Sequence, residues 1–175
     1  HWEIRLGVYS EELKGGSPGK EPELVIPFRK RNRKVLIVGS GPAGFFAAYV
    51  LQKAGFETTM LERGAEVDQR SAGILNFERT AAFDPVSNYA FGEGGAGTFS
   101  DGKLTSRSKH ISAEKHFILK SYIRAGAPEE IGYLTYPHVG SDNLKVIVKN
   151  LRKEYTDSGG TILFETMLED LVIKD

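Results

Sequence analysis

The stretch KVLIVGSGPAGFFAAYVLQKAGFETTMLE spans residues 34–62 and has the clearest structural pattern in the chain. Lys34–Val38 is a β-branched apolar run, typical of a strand buried on both faces of a parallel sheet. Residues 42–54 follow as a predicted helix, with proline in the first turn and Gly55 just beyond the end. Glu57–Leu61 is the second predicted strand. A strand, glycine-rich turn, helix and strand within ~30 residues indicate the βαβ unit of a doubly wound α/β fold.

The turn between the first strand and the helix has the pattern G-x-G-x-x-G, in the position where a dinucleotide-binding turn is expected. Gly39 permits the sharp turn, Gly41 lets the main chain approach a pyrophosphate, and Gly44 lets the helix pack closely on the strand. The N–H groups and partial positive charge at the start of the helix then face the phosphates. The predicted phosphate-binding residues are Gly39, Ser40, Gly41, Pro42, Ala43 and Gly44.

An acidic residue, Glu62, ends the second strand and follows Gly39 by 23 positions. That spacing is near the ~20 expected for a carboxylate that accepts hydrogen bonds from a ribose hydroxyl. The negative charge disfavours a 2′-phosphate, so an unphosphorylated adenosine ribose is favoured over that of NADP. NAD and FAD share this pattern, and the turn and Glu62 alone leave both open.

A second glycine-rich run, FGEGGAGTFSDGKL, occupies residues 91–104. Its closely spaced N–H groups can surround an anion, and Asp101-Gly102 predicts a turn between Phe99 and Leu104. We expect this run to lie over a pyrophosphate and the adjoining sugar chain, with a glycine-rich surface hairpin as the alternative. The cofactor-binding residues predicted here are Gly94, Gly95, Ala96, Gly97, Thr98 and Ser100. Lys103 is a candidate for stabilising an anionic reduced flavin, with a solvated turn lysine as the alternative.

Longer stretches of the sequence resemble known flavoproteins. GSGPAG followed by LERG resembles the FAD-binding start of glutathione-reductase-like proteins. DPVSNYAFGEGGAGTFSDGKLTSR, GAPEEIGYL and PHVGSDNLKVIVKNLR resemble the bacterial uncharacterised FAD-dependent dehydrogenase family, also described as NAD(P)/FAD-dependent oxidoreductases. The resemblance implies FAD as the cofactor, a Rossmann-like FAD/NAD(P)-binding domain, a substrate that is unknown, and main-chain contacts to adenine near Leu168. It also implies a flavoprotein of several hundred residues.

Two arginines, Arg63 and Arg70, are predicted to flank the adenosine ribose or the pyrophosphate, with exposed arginines as the equal alternative. No residue is assigned a catalytic role, because flavin chemistry needs no protein nucleophile. NAD(H) or NADP(H) is an open possibility as a co-substrate bound outside these residues. The histidines lack metal-ligand spacing, so no metal site is predicted.

The remainder of the chain predicts further elements on both sides of the βαβ unit. Residues 1–10 are interpreted as the last strand of a preceding domain, residues 11–33 as a linker, and residues 34–175 as an FAD-binding domain truncated at its end. The chain is thus expected to be an incomplete fragment that is inactive without the remainder of its protein. Further predictions are helices over residues 111–125 and 142–155, and strands over residues 161–164 and 168–173 joined by a turn near residues 165–167.

Composition restricts the class of protein. Lys plus Arg and Asp plus Glu each number 23, which gives a net charge of +0 and predicts no nucleic-acid partner. The chain has no cysteine, which excludes disulfides and Cys-ligated metals and fits a cytoplasmic location. Apolar runs are too short for a membrane segment. Two rivals remain: an NAD-binding dehydrogenase domain, and a non-catalytic nucleotide-binding or RNA-associated module that uses the basic run RKRNRK, residues 29–34.

Overall fold

The computed structural model describes residues 23–104, 112–134 and 137–173. Its sheet consists of three parallel strands in the spatial order β1-β2-β3: β1 (Lys34–Val38), β2 (Glu57–Leu61) and β3 (Thr161–Leu163). The first two strands have the predicted bounds, and β3 ends one residue earlier than predicted. Parallel neighbours need a crossover connection, and a helix supplies it between β1 and β2.

Within the described ranges, four helices accompany the sheet: α1 (Pro42–Lys53), α2 (Val67–Thr80), α3 (Ser112–Arg124) and α4 (Ser141–Asp157). Two short 3₁₀ turns lie at Ala96–Phe99 and Glu129–Gly132. The apolar stripe that predicted α4 is buried on one helix face, and Leu144, Ile147, Leu151 and Tyr155 form that face. The α/β architecture with a parallel sheet is therefore confirmed.

The hydrophobic core lies between one face of the sheet and the helices α1, α3 and α4. Phe45 and Tyr49 of α1 stack with ring centroids 5.7 Å apart and pack with Met60 of β2 and the buried face of α4. Burying each such side chain contributes roughly 1.5–3 kcal/mol. On the other face of the sheet, Leu36 and Val38 are 50% and 57% exposed. The expectation that β1 is buried on both faces is wrong here, because β1 is an edge strand with helices packed on one face of the described sheet.

Helix α2 was not predicted from the sequence. The side chains it buries at helical spacing are Val67, Arg70 and Ile74. An arginine in the middle of this buried stripe removes the apolar period that identifies an amphipathic helix. Glu66 provides the helix start, because its side chain accepts a hydrogen bond from the Gln69 N–H at 3.0 Å.

Two predicted elements do not form. Residues 168–173 are not a strand, and Val172 and Ile173 are largely exposed, since no described strand pairs with them. The predicted turn before them is present, with Glu165 at a φ of 53°. Leu104 does not return towards Phe99 in a hairpin; instead its N–H donates to the Pro137 carbonyl at 3.0 Å. Asp101-Gly102 therefore directs the chain towards the start of α4.

Some predictions fall on residues outside the described ranges. They are the strand assigned to residues 1–10, most of the linker over residues 11–33, and Ile111 at the start of the predicted third helix. Within the described residues, no helix combines the length and apolar character needed to cross a bilayer.

Candidate functional site

The glycine-rich turn joins β1 to α1 at the carboxyl end of the sheet. Gly39 has a φ of 93° and donates its N–H to the Leu61 carbonyl at 2.7 Å, which ties the turn to β2. A Cβ on Gly44 would lie 2.0 Å from the Gly39 oxygen, so the close helix–strand packing requires glycine there. Gly41 caps the helix without a side-chain hydrogen bond. The N–H groups of the first turn of α1 are thus available to an anion.

Glu62 is 5% exposed and connects the two glycine-rich segments. One carboxylate oxygen accepts from the Ser40 N–H at 2.9 Å and from the Ser40 hydroxyl at 2.7 Å. The other oxygen accepts from the N–H groups of Gly64 at 2.9 Å and Gly92 at 3.1 Å. A carboxylate offers about four acceptor positions, and these four donors engage all of them. The bonds to Ser40 and Gly92 were not foreseen from the sequence.

The second glycine-rich segment contacts the first directly. A Cβ on Gly95 would lie 3.1 Å from the Gly41 Cα, so main chain meets main chain at this point. Gly94 is equally confined, because a Cβ there would lie 2.1 Å from the Thr98 hydroxyl oxygen. Thr98 is buried and donates to the Glu93 carbonyl at 3.3 Å. Close contact of two glycine-rich segments leaves a cradle of main-chain N–H groups with no side chain between them.

Arg70 lies inside the protein and is fully buried. Its guanidinium donates to four carbonyl oxygens in and just before the second segment: Asn88 at 2.8 Å, Tyr89 at 3.0 Å, Glu93 at 2.7 Å and Gly95 at 2.9 Å. Burial lowers the pKa of Arg70 to about 10, and the charges of Glu62 and Glu93 oppose that shift. The alternative of an exposed arginine is wrong. Arg70 was predicted to contact the ligand. In the structure its guanidinium N–H groups instead donate to carbonyl oxygens of the protein.

Arg63, the other predicted arginine, remains beside the site. Its guanidinium lies 4.0 Å from the Phe91 ring centroid and donates to the Pro85 carbonyl at 3.1 Å. Its Nε–H is buried and has no hydrogen-bond partner within the described residues. An unpaired buried donor is costly, so this nitrogen marks a place where a ligand oxygen or ring nitrogen fits.

A cavity of about 400 Å³ lies above the carboxyl ends of β1 and β2. It has the size of a small-molecule site and the location at which open α/β sheets bind ligands. Leu168, predicted near adenine, lines it even though its segment is not a strand, because the Thr166 N–H is bonded to the Glu62 carbonyl at 2.9 Å. Other lining residues are Gly39, Gly41, Leu61, Glu62, Arg63, Phe91, Gly92, Gly95 and Met167.

Part of the second segment faces a different, apolar cavity of about 140 Å³ between α1 and α4. Gly94, Gly97, Thr98, Ser100 and Lys103 line this second cavity. Lys103 is exposed and pairs with Asp101 at 2.8 Å. That pairing fits the alternative of a solvated turn lysine. Among the cofactor-binding residues predicted in this segment, the structure therefore brings Gly95 to the nucleotide-sized cavity and places Gly94, Gly97, Thr98, Ser100 and Lys103 on the apolar cavity.

Glu93 lies within the second glycine-rich run and was not predicted as a site residue. It is 3% exposed, accepts from the Val67 N–H at 2.8 Å, and pairs with the Arg152 Nε at 3.3 Å. Arg152 also pairs with Glu66 at 3.2 Å, so the start of α2, the loop and α4 are joined. Burial raises the pKa of Glu93 to about 7. The feature of the sequence that could have identified Glu93 is an acidic residue among four glycines.

The raised pKa predicts a pH-dependent stability. The unfolded chain loses the Glu93 proton near pH 4.5, whereas the folded chain holds it until about 7. Stability therefore falls between these two values, by roughly 3 kcal/mol, and is constant above them. We expect Glu93→Gln to flatten this part of the profile in urea unfolding at a series of pH values. Glu114→Gln, at an exposed position in α3, should leave it unchanged. An unaltered slope in Glu93→Gln would contradict the assignment.

Comparison with known proteins agrees with this geometry. Residues 32–81 match the family model described as an FAD binding domain, and they contain the glycine-rich turn and Glu62. An uncharacterised protein from Clostridium beijerinckii is 46% identical over 140 residues, 80% of this chain. An L-amino-acid oxidase from Pseudechis australis is 28% identical over 125 residues, 71% of this chain. The small chain of NADPH glutamate synthase from Bacillus subtilis is 42% identical over 52 residues, 30% of this chain.

The chain spans 26%, 19% and 10% of the length of these three relatives, in the same order. What they share with it is therefore a part of each protein. The parallel sheet, the glycine-rich turn and the family match together support a flavoprotein type of FAD-binding domain with a Rossmann-like fold.

Proposed function

We propose that this chain binds the ADP half of FAD and forms the nucleotide-binding part of an FAD-dependent oxidoreductase. The observation that carries the proposal is the convergence of both glycine-rich segments and Glu62 on one cavity of about 400 Å³. The residues fit the cofactor in three respects. The main chain is free of side chains where Gly41 meets Gly95, the start of α1 has free N–H groups, and the Arg63 Nε–H lacks a partner in the described chain.

The pyrophosphate is assigned to the start of α1. Helix N-termini attract anions because their first N–H groups are unpaired and the helix dipole is positive there. Gly41 allows close approach, and Gly95 closes the opposite side of the cradle. Ala43 and Gly44 supply first-turn N–H groups, while Pro42 has none and sets the helical φ.

The adenosine is assigned to the other end of the cavity. Glu62 accepts from one ribose hydroxyl when the Ser40 hydroxyl, which has a rotatable bond, releases one acceptor position. Arg63 on the Phe91 ring forms one wall, and Met167 and Leu168 form another. Flat cationic and apolar surfaces of this kind suit a purine ring. Because Glu62 is negatively charged, a 2′-phosphate is disfavoured.

When bound, FAD supplies the hydride-accepting chemistry, and the described residues bind and orient its nucleotide half. We propose that the oxidoreductase is of the dehydrogenase type, which the resemblance in the second glycine-rich segment supports. The L-amino-acid oxidase relative supports oxidoreductase activity more broadly. A nicotinamide co-substrate, if used, binds outside these residues. The expected partner of these 175 residues is the remainder of a longer protein to which they belong. We also propose a cytoplasmic location.

The rival functions have less support from the geometry. A nicotinamide-binding domain explains Gly39–Gly44 and Glu62, but it gives no role to the second segment, whose Gly92 is bonded to Glu62. For an RNA-associated module, the basic run at residues 29–34 is exposed. Within it, Lys34 pairs with Glu57 at 3.3 Å and Arg31 lies over the Phe56 ring, so part of its charge is engaged by the protein itself.

The proposal is tested by competition at equilibrium. We expect the chain to quench FAD fluorescence on binding and ADP to displace the FAD. The 2′-phosphorylated form of ADP should compete at least about tenfold less well, because its extra charge faces the Glu62 carboxylate. Heat-released nucleotide from the purified chain should be identified by mass as FAD. Tighter binding of NAD than of FAD, or FAD binding that ADP does not displace, would overturn the proposal.

A further inference from the structure

Arg70 holds two particular peptide groups of the second glycine-rich segment. One guanidinium nitrogen donates to the Glu93 carbonyl at 2.7 Å and to the Gly95 carbonyl at 2.9 Å. The Phe99 ring covers the guanidinium with its centroid 4.6 Å away. A planar fork of donors inside the protein holds these carbonyls in one orientation.

The peptide plane passes that orientation on to the next amide. In a trans peptide the N–H points opposite to the C=O, so a carbonyl held by Arg70 directs the following N–H away from Arg70. The amides concerned are those of Gly94 and Ala96. Neither donates to another described residue. Gly94 is half-buried and Ala96 is exposed, so these amides are not engaged by the protein and are open to a ligand.

These two amides flank the contact with the first glycine-rich turn. Gly94 and Gly95 have φ values of 79° and 71°, a region that glycine enters without steric cost, so this path of the loop depends on glycine at both positions. Between them, Gly95 is the residue that approaches Gly41 and Pro42. Gly94 borders the apolar cavity beside Ser40 and Pro42, so the amides lie in the part of the loop nearest to the start of α1.

We propose that Arg70 is a positioning residue that turns the Gly94 and Ala96 amides towards the pyrophosphate without touching the cofactor. The proposal rests on the proposed function, because it concerns the same nucleotide site. It assigns Arg70 an effect on phosphate binding in particular. Adenosine has no phosphate, so its affinity should not depend on the orientation of these amides.

The experiment compares ADP with adenosine by calorimetry on the full chain. In Arg70→Lys the charge is kept but the fork of donors is lost, so the two carbonyls are no longer held together. We expect the preference for ADP over adenosine to fall about tenfold, the size of one lost hydrogen bond to a charged group. Arg79→Lys, an exposed position on the same helix, is the matched control and should keep the preference. A merely structural role for Arg70 would lower both affinities together.

A second variant keeps Arg70 and removes one amide. Ala96 is the first residue of its 3₁₀ turn, where proline is compatible with the main chain, so Ala96→Pro deletes the N–H alone. We expect it to lower the ADP preference as Arg70→Lys does, whereas Ala96→Ser retains it. If the wild-type chain binds ADP and both variants keep the wild-type preference, the role of Arg70 is wrong and the proposed function stands. If the wild-type chain binds no ADP, both fail.

Discussion

Glu62→Gln should weaken the binding of FAD by about 30-fold, equivalent to about 2 kcal/mol. The carboxylate is the acceptor proposed for one ribose hydroxyl, and an amide in its place loses the charge that strengthens this bond. The change also affects the unliganded protein. An amide nitrogen facing either Ser40 or Gly92 meets their donors with another donor, so the two segments lose part of their connection.

Ser40→Ala is the matched control for this prediction. It removes the hydroxyl that donates to Glu62 at 2.7 Å and leaves the Ser40 N–H, which donates at 2.9 Å. One acceptor position on Glu62 is then open for the ribose, so FAD affinity should be unchanged or higher. Fluorescence titration measures both variants. Equal affinities of Glu62→Gln and the wild type would show that the ribose does not contact Glu62.

Gly44→Ala should destabilise the fold by about 3 kcal/mol or more, the upper range for overpacking a closed site. The added methyl group would lie 2.0 Å from the Gly39 oxygen and 3.5 Å from the Ile37 side chain. The atom nearest to it belongs to the main chain, so no flexible side chain can yield. The start of α1 would have to move away from β1, and nucleotide binding should be lost with it.

Urea unfolding measures the stability of Gly44→Ala, and in the same experiment Gly73→Ala should be more stable than the wild type. Gly73 lies within α2, and beyond the neighbouring backbone of its own helix nothing lies within 4 Å of the position of an added Cβ. Alanine is the better helix former, so this variant should gain about 0.5–1 kcal/mol in urea unfolding. If Gly44→Ala is as stable as the wild type, the close packing of α1 on β1 is wrong.

The sequence predicted those elements whose patterns are local. Strands β1 and β2, the helix between them and α4 follow from apolar periodicity and turn residues. Helix α2 was not predicted, because Arg70 occupies a buried position on the helix face where an apolar residue is expected. The strand predicted at residues 168–173 failed because a short apolar run becomes a strand only where a neighbour pairs with it, and no described strand does.

The sequence predicted which residues belong to the site but not the hydrogen bonds that join them. Motif spacing placed Glu62 near the glycine-rich turn, and the structure brings them together through Ser40. The bond between Glu62 and Gly92 joins residues 30 positions apart, and the role of Arg70 depends on the folded path of the loop. Such contacts arise from tertiary packing, which spacing along the chain does not encode.

The most direct test of the account is a two-dimensional amide NMR titration of the labelled chain with ADP. The largest shifts should occur at the amides of Gly39, Gly41, Gly92, Gly94 and Ala96. These amides lie in or beside the two glycine-rich segments that converge on the cavity at Glu62. Shifts confined to Phe46, Ile147 and Leu151, which line the apolar cavity outside both glycine-rich segments, would contradict this prediction.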